Sequence, residues 1–128
     1  MRSLARETVF KYLFAELFNP SDEELFDVLI KSLNDDDKDF ATQLKNSIIE
    51  NESKYMQSIA DLSISYKLNR IHSTDKCAII IGMAEFDNFK QTPKIVIIDE
   101  AVKLAAKYST DNSPDFVNGI LATYTTKE

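Results

Sequence analysis

Apolar residues recur every three or four positions along most of the chain, which is the spacing of one face of an α-helix. In residues 92–108 this spacing predicts a buried stripe made of Ile98, Ala101, Val102, Ala105 and Tyr108. Thr92 followed by Pro93 predicts the start of that helix, because threonine can cap it and proline loses nothing at the first position. Ser113 and Pro114 repeat the signal after a short polar turn, and the next stripe contains Val117, Ile120, Leu121 and Tyr124.

The same spacing predicts helices through the first half of the chain. A first helix runs from Ser3 to about Phe18, with an apolar stripe of Val9, Phe10, Leu13, Phe14, Leu17 and Phe18. Ser21 and Glu24 form a capping box ahead of a second helix, whose stripe contains Leu25, Phe26, Leu29, Ile30 and Leu33. A polar turn at residues 34–37 then precedes a third helix, and one or two shorter helices follow it.

Residues 77–84 form the most apolar run, and their three consecutive isoleucines suit a buried strand as well as a buried helix. A strand would need a neighbouring strand to pair with, and every neighbouring segment has helical spacing. We therefore predict a central helix that is buried nearly all round. The chain as a whole is predicted to be all-α, a single compact domain of about seven helices spanning residues 1–128.

Composition supports this class of fold. Two glycines and three prolines are too few for the many tight turns of an all-β domain. Cys77 is the only cysteine, so no internal disulfide forms, and without a signal-peptide pattern we expect a reducing cytoplasm. No apolar run approaches the roughly 20 residues that span a bilayer, so no membrane partner is expected.

The net charge of −6 argues against a strongly basic nucleic-acid binder. Its distribution is uneven, however. Residues 1–18 carry three positive and two negative charges, whereas residues 19–40 carry two positive and eight negative charges. Because the acidity is concentrated in one segment, the amino-terminal end remains able to meet phosphate.

Residues that would carry catalysis or metal binding are scarce. One histidine and one cysteine cannot supply a zinc ligand set, and a triad of Ser73, His72 and Asp75 matches no known motif. Two glycines do not make a phosphate-binding loop. The acidic run at residues 35–39 lacks the turn glycine and closing glutamate of a calcium loop, and is predicted as a solvated helix start. We expect no enzyme activity, metal or cofactor.

Two capped helices and the turn between them carry a resemblance. Residues 98–105 read IDEAVKLA and residues 111–121 read DNSPDFVNGIL, which resembles the carboxy-terminal pattern of the NusB family of bacterial transcription antitermination factors. Residues 66–86 and the amino-terminal Ala5, Arg6 and Glu7 extend the resemblance over most of the chain. It implies two small helical bundles packed together, at about residues 1–60 and 61–128.

The resemblance also implies a function and partners. Together with the ribosomal protein NusE, a NusB-like protein would bind the boxA element of single-stranded nascent RNA and associate with RNA polymerase, chiefly during rRNA transcription. The implied RNA-binding residues are Arg2, Arg6, Asn112 and Phe116. Arg2 and Arg6 lie one turn apart, on a face that we expect solvent to reach. The ring of Phe116 would stack on an RNA base, although its spacing from Ile120 fits a core residue as well.

Residues that correspond to the family's partner-facing positions are Phe14, Phe18, Asn69 and Asp75. Phe14 and Phe18 also fit the core stripe of the first helix, and Asp75 also fits a helix start. Alternative functions remain open: a helical protein-interaction module without RNA binding, the RNA-recognition domain of an rRNA methyltransferase, or a small hydrolase. A homodimer is a further partner prediction.

Overall fold

The computed structural model describes residues 2–18, 24–63 and 71–126, with the backbone alone at residues 17 and 18. The described chain forms seven α-helices and one 3-10 turn. These are α1 Ser3–Phe18, α2 Leu25–Leu29, the 3-10 turn Ile30–Ser32, α3 Asp35–Glu50, α4 Glu52–Leu62, α5 Ser73–Asn88, α6 Lys94–Tyr108 and α7 Ser113–Tyr124. No strand occurs in these ranges, and the predicted all-α class is confirmed.

Helix α5 is the centre of the fold. It packs against α1, α3, α4, α6 and α7, and every residue from Cys77 to Glu85 is buried. Successive residues of a helix point about 100° apart, so an unbroken apolar run can be buried only if other helices surround it. The prediction of a central helix over residues 77–84 is therefore confirmed.

The carboxy-terminal helix approaches α5 closely at Gly82. A Cβ atom at this position would lie 2.6 Å from Cδ1 of Leu121, which is fully buried in α7. Gly82 thus provides the space in which the Leu121 side chain packs directly against the α5 backbone. This contact helps to fix α7, and with it the start of α7 beside α5.

Helix starts differ from the predictions by about one residue. Pro93, not Thr92, is the N-cap of α6, and its carbonyl accepts hydrogen bonds from the N–H groups of Val96 and Ile97. Asn112, not Ser113, precedes α7, and its side chain makes no capping hydrogen bond. Ser113 is instead the first helical residue, and its hydroxyl accepts a hydrogen bond from the Thr110 N–H in the preceding turn.

The prediction of a turn over residues 34–37 is wrong for residues 35–37, which are helical. Asn34 caps α3, with its Oδ1 accepting a hydrogen bond from the N–H of Asp37 at 2.8 Å, and the helix begins at Asp35. The acidic run falls in the first helical turn, where negative side chains oppose the positive end of the helix dipole. The prediction of a helix start over residues 35–39 is thus confirmed, whereas the expectation that the whole run is solvated is wrong at Asp37, which is buried. The Ser21 capping box lies outside the described residues.

The apolar face of α6 is rotated from its predicted position. Its buried residues are Ile97, Ala101, Leu104 and Ala105, whereas Ile98, Val102 and Tyr108 are only partly buried. The rotation arises because α6 packs on α5 and α7 together and also contacts α1. One hydrophobic cluster includes residues from both halves of the chain, and the division into two bundles near residue 60 stays a prediction.

Candidate functional site

A cleft of about 220 Å³ lies where the first turns of α5 and α7 meet the turn between α6 and α7. Its lining residues are Ile71, His72, Asp75, Thr110, Asn112, Ser113 and Phe116. The structure therefore brings two residues predicted for RNA, Asn112 and Phe116, together with one predicted for a protein partner, Asp75. These three come from two separate regions of the sequence.

Phe116 lies at the boundary between this cleft and the core. It is in the first turn of α7, where its N–H donates to the Asn112 carbonyl at 3.3 Å. Its ring is half-buried and packs against the hydrophobic cluster, whereas its neighbour Val117 is fully buried. Phe116 thus contributes both to the core and to the lining of the cleft, and its stacking on an RNA base stays a prediction.

A network of hydroxyl groups supports the floor of the cleft. The Ser109 hydroxyl donates to Oδ1 of Asp75 at 2.5 Å and accepts from the hydroxyls of Thr74 at 2.8 Å and Ser113 at 2.9 Å. The Ser113 hydroxyl in turn accepts from the Thr110 N–H at 3.1 Å. This network ties the start of α5 to the turn before α7.

Arg6 is buried, unlike Arg2. It is only 5% exposed, so the expectation that solvent reaches it is wrong. Its Nε and Nη2 donate to the two carboxylate oxygens of Glu85 at 2.7 and 2.6 Å, and its Nη1 donates to Glu100 at 3.3 Å. Although burial opposes the charged form, the hydrogen bonds and charge of Glu85 hold the Arg6 pKa above its ordinary value.

Arg2 keeps the expected exposure. Its guanidinium carbon lies 4.4 Å from the centroid of the Phe40 ring, which is a cation–π contact with α3. This end of α1 is remote from the cleft. Glu85, which holds Arg6, follows Asp75 by ten residues in α5, or about 15 Å along the helix axis. The predicted RNA-binding residues therefore form two separate groups.

The structure describes only some of the residues that are predicted to face a protein partner. Phe14 is half-buried, and its ring stacks parallel to that of Phe10 at 6.5 Å. Phe10 in turn stacks on Tyr108, the residue that precedes Ser109. The side chain of Phe18 and the whole of Asn69 lie outside the described residues. Asp75 is 4% exposed, so little of its surface is available for a broad protein contact.

A second concave surface lies on the outer side of α6 and α7. This groove of about 420 Å³ is lined by Lys94, Ile95, Ile98, Asp99, Val102 and Asn118. Ile95 is 77% exposed, which is unusual for an isoleucine beside other apolar residues. The groove is mostly apolar, with one positive and one negative residue among its lining.

The described residues contain no cluster of histidine, cysteine or carboxylate side chains able to hold a metal ion. Burial raises the pKa of the Cys77 thiol to about 12, which disfavours the reactive thiolate. Among the same residues, no helix has both the length and the hydrophobicity needed to cross a membrane.

Several residues that shape the site are not predicted by the sequence pattern. Glu85, Ser109 and Thr110 match no binding motif, and His72 matches only the unsupported triad. Glu85 had a usable signal, because a carboxylate inside a helix predicted to be buried all round needs a charged partner. The hydroxyl network had none, since its members are far apart in sequence and serine and threonine are common in turns.

Comparison with known proteins agrees with this architecture. The NusB family model matches residues 2–126. The transcription antitermination protein NusB of Alkaliphilus oremlandii is 34% identical over 99% of this chain and 94% of its own length. The solved T. maritima NusB is 29% identical, with a TM-score of 0.94 over 100% of this chain and 92% of that chain.

A more distant structure contains antitermination factors NusB and NusE in complex with double-stranded RNA. The matching chain is 22% identical, with a TM-score of 0.88 over 99% of this chain and 97% of that chain, and at this identity the likeness shows the fold. Together, fold and matches define an all-helical protein of the transcription antitermination class. The chain belongs to the NusB family.

Proposed function

We propose that this protein is a non-enzymatic RNA-binding antitermination factor. Together with the ribosomal protein NusE it binds boxA-type single-stranded RNA and associates with RNA polymerase in the cytoplasm, supporting rRNA transcription. The observation that carries the proposal is the cleft, where the half-buried ring of Phe116 and the exposed Asn112 lie side by side. Unpaired bases are commonly held by an aromatic ring next to hydrogen-bonding groups.

Charge favours weak binding by the protein alone. Arg6 is occupied by Glu85 and Glu100, which leaves Arg2 as the exposed member of the predicted arginine pair. Asp111 and Asp115 are exposed near the cleft and repel phosphate. Few phosphates are then neutralised, so a protein partner must supply further contacts. A NusB relative seen with NusE and RNA supports NusE as that partner.

The experiment is a titration of labelled single-stranded boxA RNA with the protein, with and without NusE, at two salt concentrations. We expect weak binding alone and at least tenfold tighter binding with NusE. Equal affinity in both conditions would contradict the role of the partner. A complex with NusE that binds no RNA would instead favour the second candidate function, a protein-interaction module, which the net charge of −6 supports.

We also propose that two copies associate through the groove on α6. Lys94 and Asp99 lie toward opposite ends of the apolar residues Ile95 and Ile98. A two-fold axis across this groove would place Lys94 of one copy opposite Asp99 of the other, at both ends of a shared apolar contact. The surface is therefore complementary to itself in charge and in hydrophobicity.

A further inference from the structure

Both glycines of the chain lie inside helices, and the packing of the protein explains only one of them. At Gly82 a side chain would collide with Leu121. At Gly119 in α7, a Cβ atom would meet no atom of the described residues within 4 Å, and the backbone φ angle is not positive. The fold of the described chain therefore does not require glycine at residue 119.

Glycine at this position destabilises the helix. A glycine loses more backbone freedom on folding than an alanine does, so it lowers stability when it lies in the interior of a helix. Gly119 is exposed and lies well inside α7, which runs from Ser113 to Tyr124. Because it relieves no crowding within the protein, its effect is to leave bare backbone on the surface, where another molecule can approach closely.

Gly119 lies on the same face of α7 as two residues of the candidate RNA site. Residues three, four or seven positions apart share one face of a helix. By this spacing Asn112, Phe116, Gly119 and Thr123 follow one another along α7, and we call these four residues the α7 strip. Since a helix rises about 1.5 Å per residue, the strip continues for about 10 Å from Phe116 to Thr123. It is continuous with the cleft, because Asn112 and Phe116 line both.

The chemistry of the strip favours one part of an RNA chain. None of its four residues is charged, and Gly119 and Thr123 are exposed. The Thr123 hydroxyl donates to the Gly119 carbonyl at 3.1 Å, and its oxygen can still accept a hydrogen bond. Asp115, which is exposed one turn before Gly119, repels phosphate. An uncharged sugar with hydroxyl groups therefore suits the strip better than a phosphate group does.

We propose that the α7 strip binds the ribose of the nucleotide next to the base held in the cleft, and that Gly119 lets this sugar pack on the helix backbone. The inference rests on the proposed function, in which Phe116 holds an unpaired base. It adds a second contact to that site, in which the 2′-hydroxyl of the sugar donates to the Thr123 oxygen. That hydroxyl is the group by which a protein distinguishes RNA from DNA.

The test compares Gly119→Ala and Gly119→Gln with the wild type, by thermal unfolding and by titration of labelled boxA RNA in the presence of NusE. Because an added Cβ meets no neighbour, Gly119→Ala should raise the melting temperature by a few degrees. The same variant should bind RNA roughly threefold more weakly, and Gly119→Gln roughly tenfold more weakly, because the longer side chain covers the strip. A purely structural role would not give a variant that folds better and binds RNA more weakly.

Ala122→Gln is the matched control. Ala122 is exposed on the same helix, but it lies six residues from Phe116 and therefore points about 120° away from it. This substitution should leave the RNA affinity unchanged.

The contact with the sugar is tested with a DNA of the same sequence as the boxA RNA. The wild type should bind the RNA more tightly than this DNA. Thr123→Val, which keeps the shape of the side chain and removes its hydroxyl, should reduce that preference. An unchanged preference in Thr123→Val would overturn the assignment of the ribose to the strip.

The remaining outcomes separate this inference from the proposed function. An RNA affinity of Gly119→Gln equal to that of the wild type would overturn the inference while RNA binding stands. A lower melting temperature for Gly119→Ala would overturn it as well, because the fold itself would then need the glycine. Affinity for NusE is measured separately without RNA, and a loss there in Gly119→Gln would assign the strip to a protein contact instead. No RNA binding by the wild type would overturn the proposed function too.

Discussion

The guanidinium of Arg6 and the carboxylate of Glu85 form a two-point hydrogen-bonded pair inside the protein, with N to O distances of 2.7 and 2.6 Å. Their side chains are 6% and 1% exposed, and the pair joins α1 to the central helix α5. Glu100 adds a third helix to this contact at 3.3 Å. The pair therefore fixes the direction in which α1 leaves the bundle and carries Arg2 into solvent.

Replacement of Arg6 by alanine should lower the free energy of unfolding by about 3–5 kcal/mol, because Glu85 would remain buried without its partner. Chemical denaturation of the variant measures this loss. Arg2→Ala is the matched control, since Arg2 is exposed and loses only its cation–π contact with Phe40, and should change stability by no more than about 1 kcal/mol. A small and equal effect of both substitutions would contradict a structural role for Arg6.

Phe116→Ala should weaken RNA binding roughly ten- to a hundredfold and leave the melting temperature within a few degrees of the wild type. The half-buried ring makes only part of its contacts with the core. Val117→Ala is the control, because Val117 is fully buried and its truncation should lower stability with RNA affinity retained. Calorimetry of both variants measures the melting temperatures, and RNA titration measures the affinities. A large fall in the melting temperature of Phe116→Ala would assign its ring to the core.

Arg2→Ala should reduce the salt dependence of RNA binding. Each phosphate neutralised on a single strand contributes about −0.7 to the slope of log affinity against log salt concentration. Because Arg2 is exposed at the start of α1, its loss should make the slope shallower by about 0.7. Lys31→Ala, which removes an exposed charge from the 3-10 turn, is the control and should leave the slope unchanged. An unaltered slope for Arg2→Ala would remove Arg2 from the RNA interface.

Acid should weaken the contact between α1 and the end of α6. Lys107 donates a hydrogen bond to Oε2 of Glu7 at 2.5 Å, and the Tyr108 hydroxyl donates to the same oxygen. Both hydrogen bonds lower the pKa of the Glu7 carboxyl, and that of Lys107 has the larger effect. A lowered pKa in the folded state gives stability that is fully present above the unfolded value of about 4.3 and is lost as the pH falls through the folded value.

The matching variant is Glu7→Gln, which cannot titrate. Its stability should fall less than that of the wild type as the pH is lowered from 6 to 3, as measured by urea denaturation at a series of pH values. Glu16→Gln serves as the control on the same helix. Identical pH profiles for the wild type and Glu7→Gln would mean that this carboxyl does not contribute.

Self-association through the α6 groove should depend on Ile95. An aspartate in its place puts a charge where two apolar surfaces would meet, so Ile95→Asp should remain monomeric at concentrations where the wild type forms dimers. The exposed Ile49 on α3 offers a control, because Ile49→Asp removes a similar apolar surface elsewhere. Analytical ultracentrifugation reports the outcome. A wild type that stays monomeric at high concentration excludes the proposed dimer.

Local pattern determined the secondary structure of this protein. Helical spacing and the lack of any pairing strand were sufficient to predict the seven α-helices of the described residues, including the isoleucine run of α5. Their ends were less well predicted, because proline at residue 93 and the residues around Ser113 fit either side of a helix boundary. A start signal in the sequence is compatible with a helix that begins at any of several adjacent residues. The hydrogen bonds formed at the helix end decide which of these residues is the first helical one.

The candidate site was predicted in part. Asn112, Phe116 and Asp75 were each named from the sequence, and the tertiary structure brought them into one cleft. The buried state of Arg6 was decided by Glu85, which is 79 residues further along the chain. No local pattern distinguishes an arginine that will meet a carboxylate from one that stays in water, because the spacing of α1 is the same in both cases.

The sequence by itself thus determined which segments are helical and which residue types were available for binding RNA. The tertiary structure decided which charges remain in solvent, which face of α6 is buried, and that Asp75 opens into the same cleft as Phe116. The physical reason is the range of the interactions. Helix formation depends on residues within about four positions, whereas burial and charge pairing depend on neighbours that only the packing of α1, α5, α6 and α7 supplies.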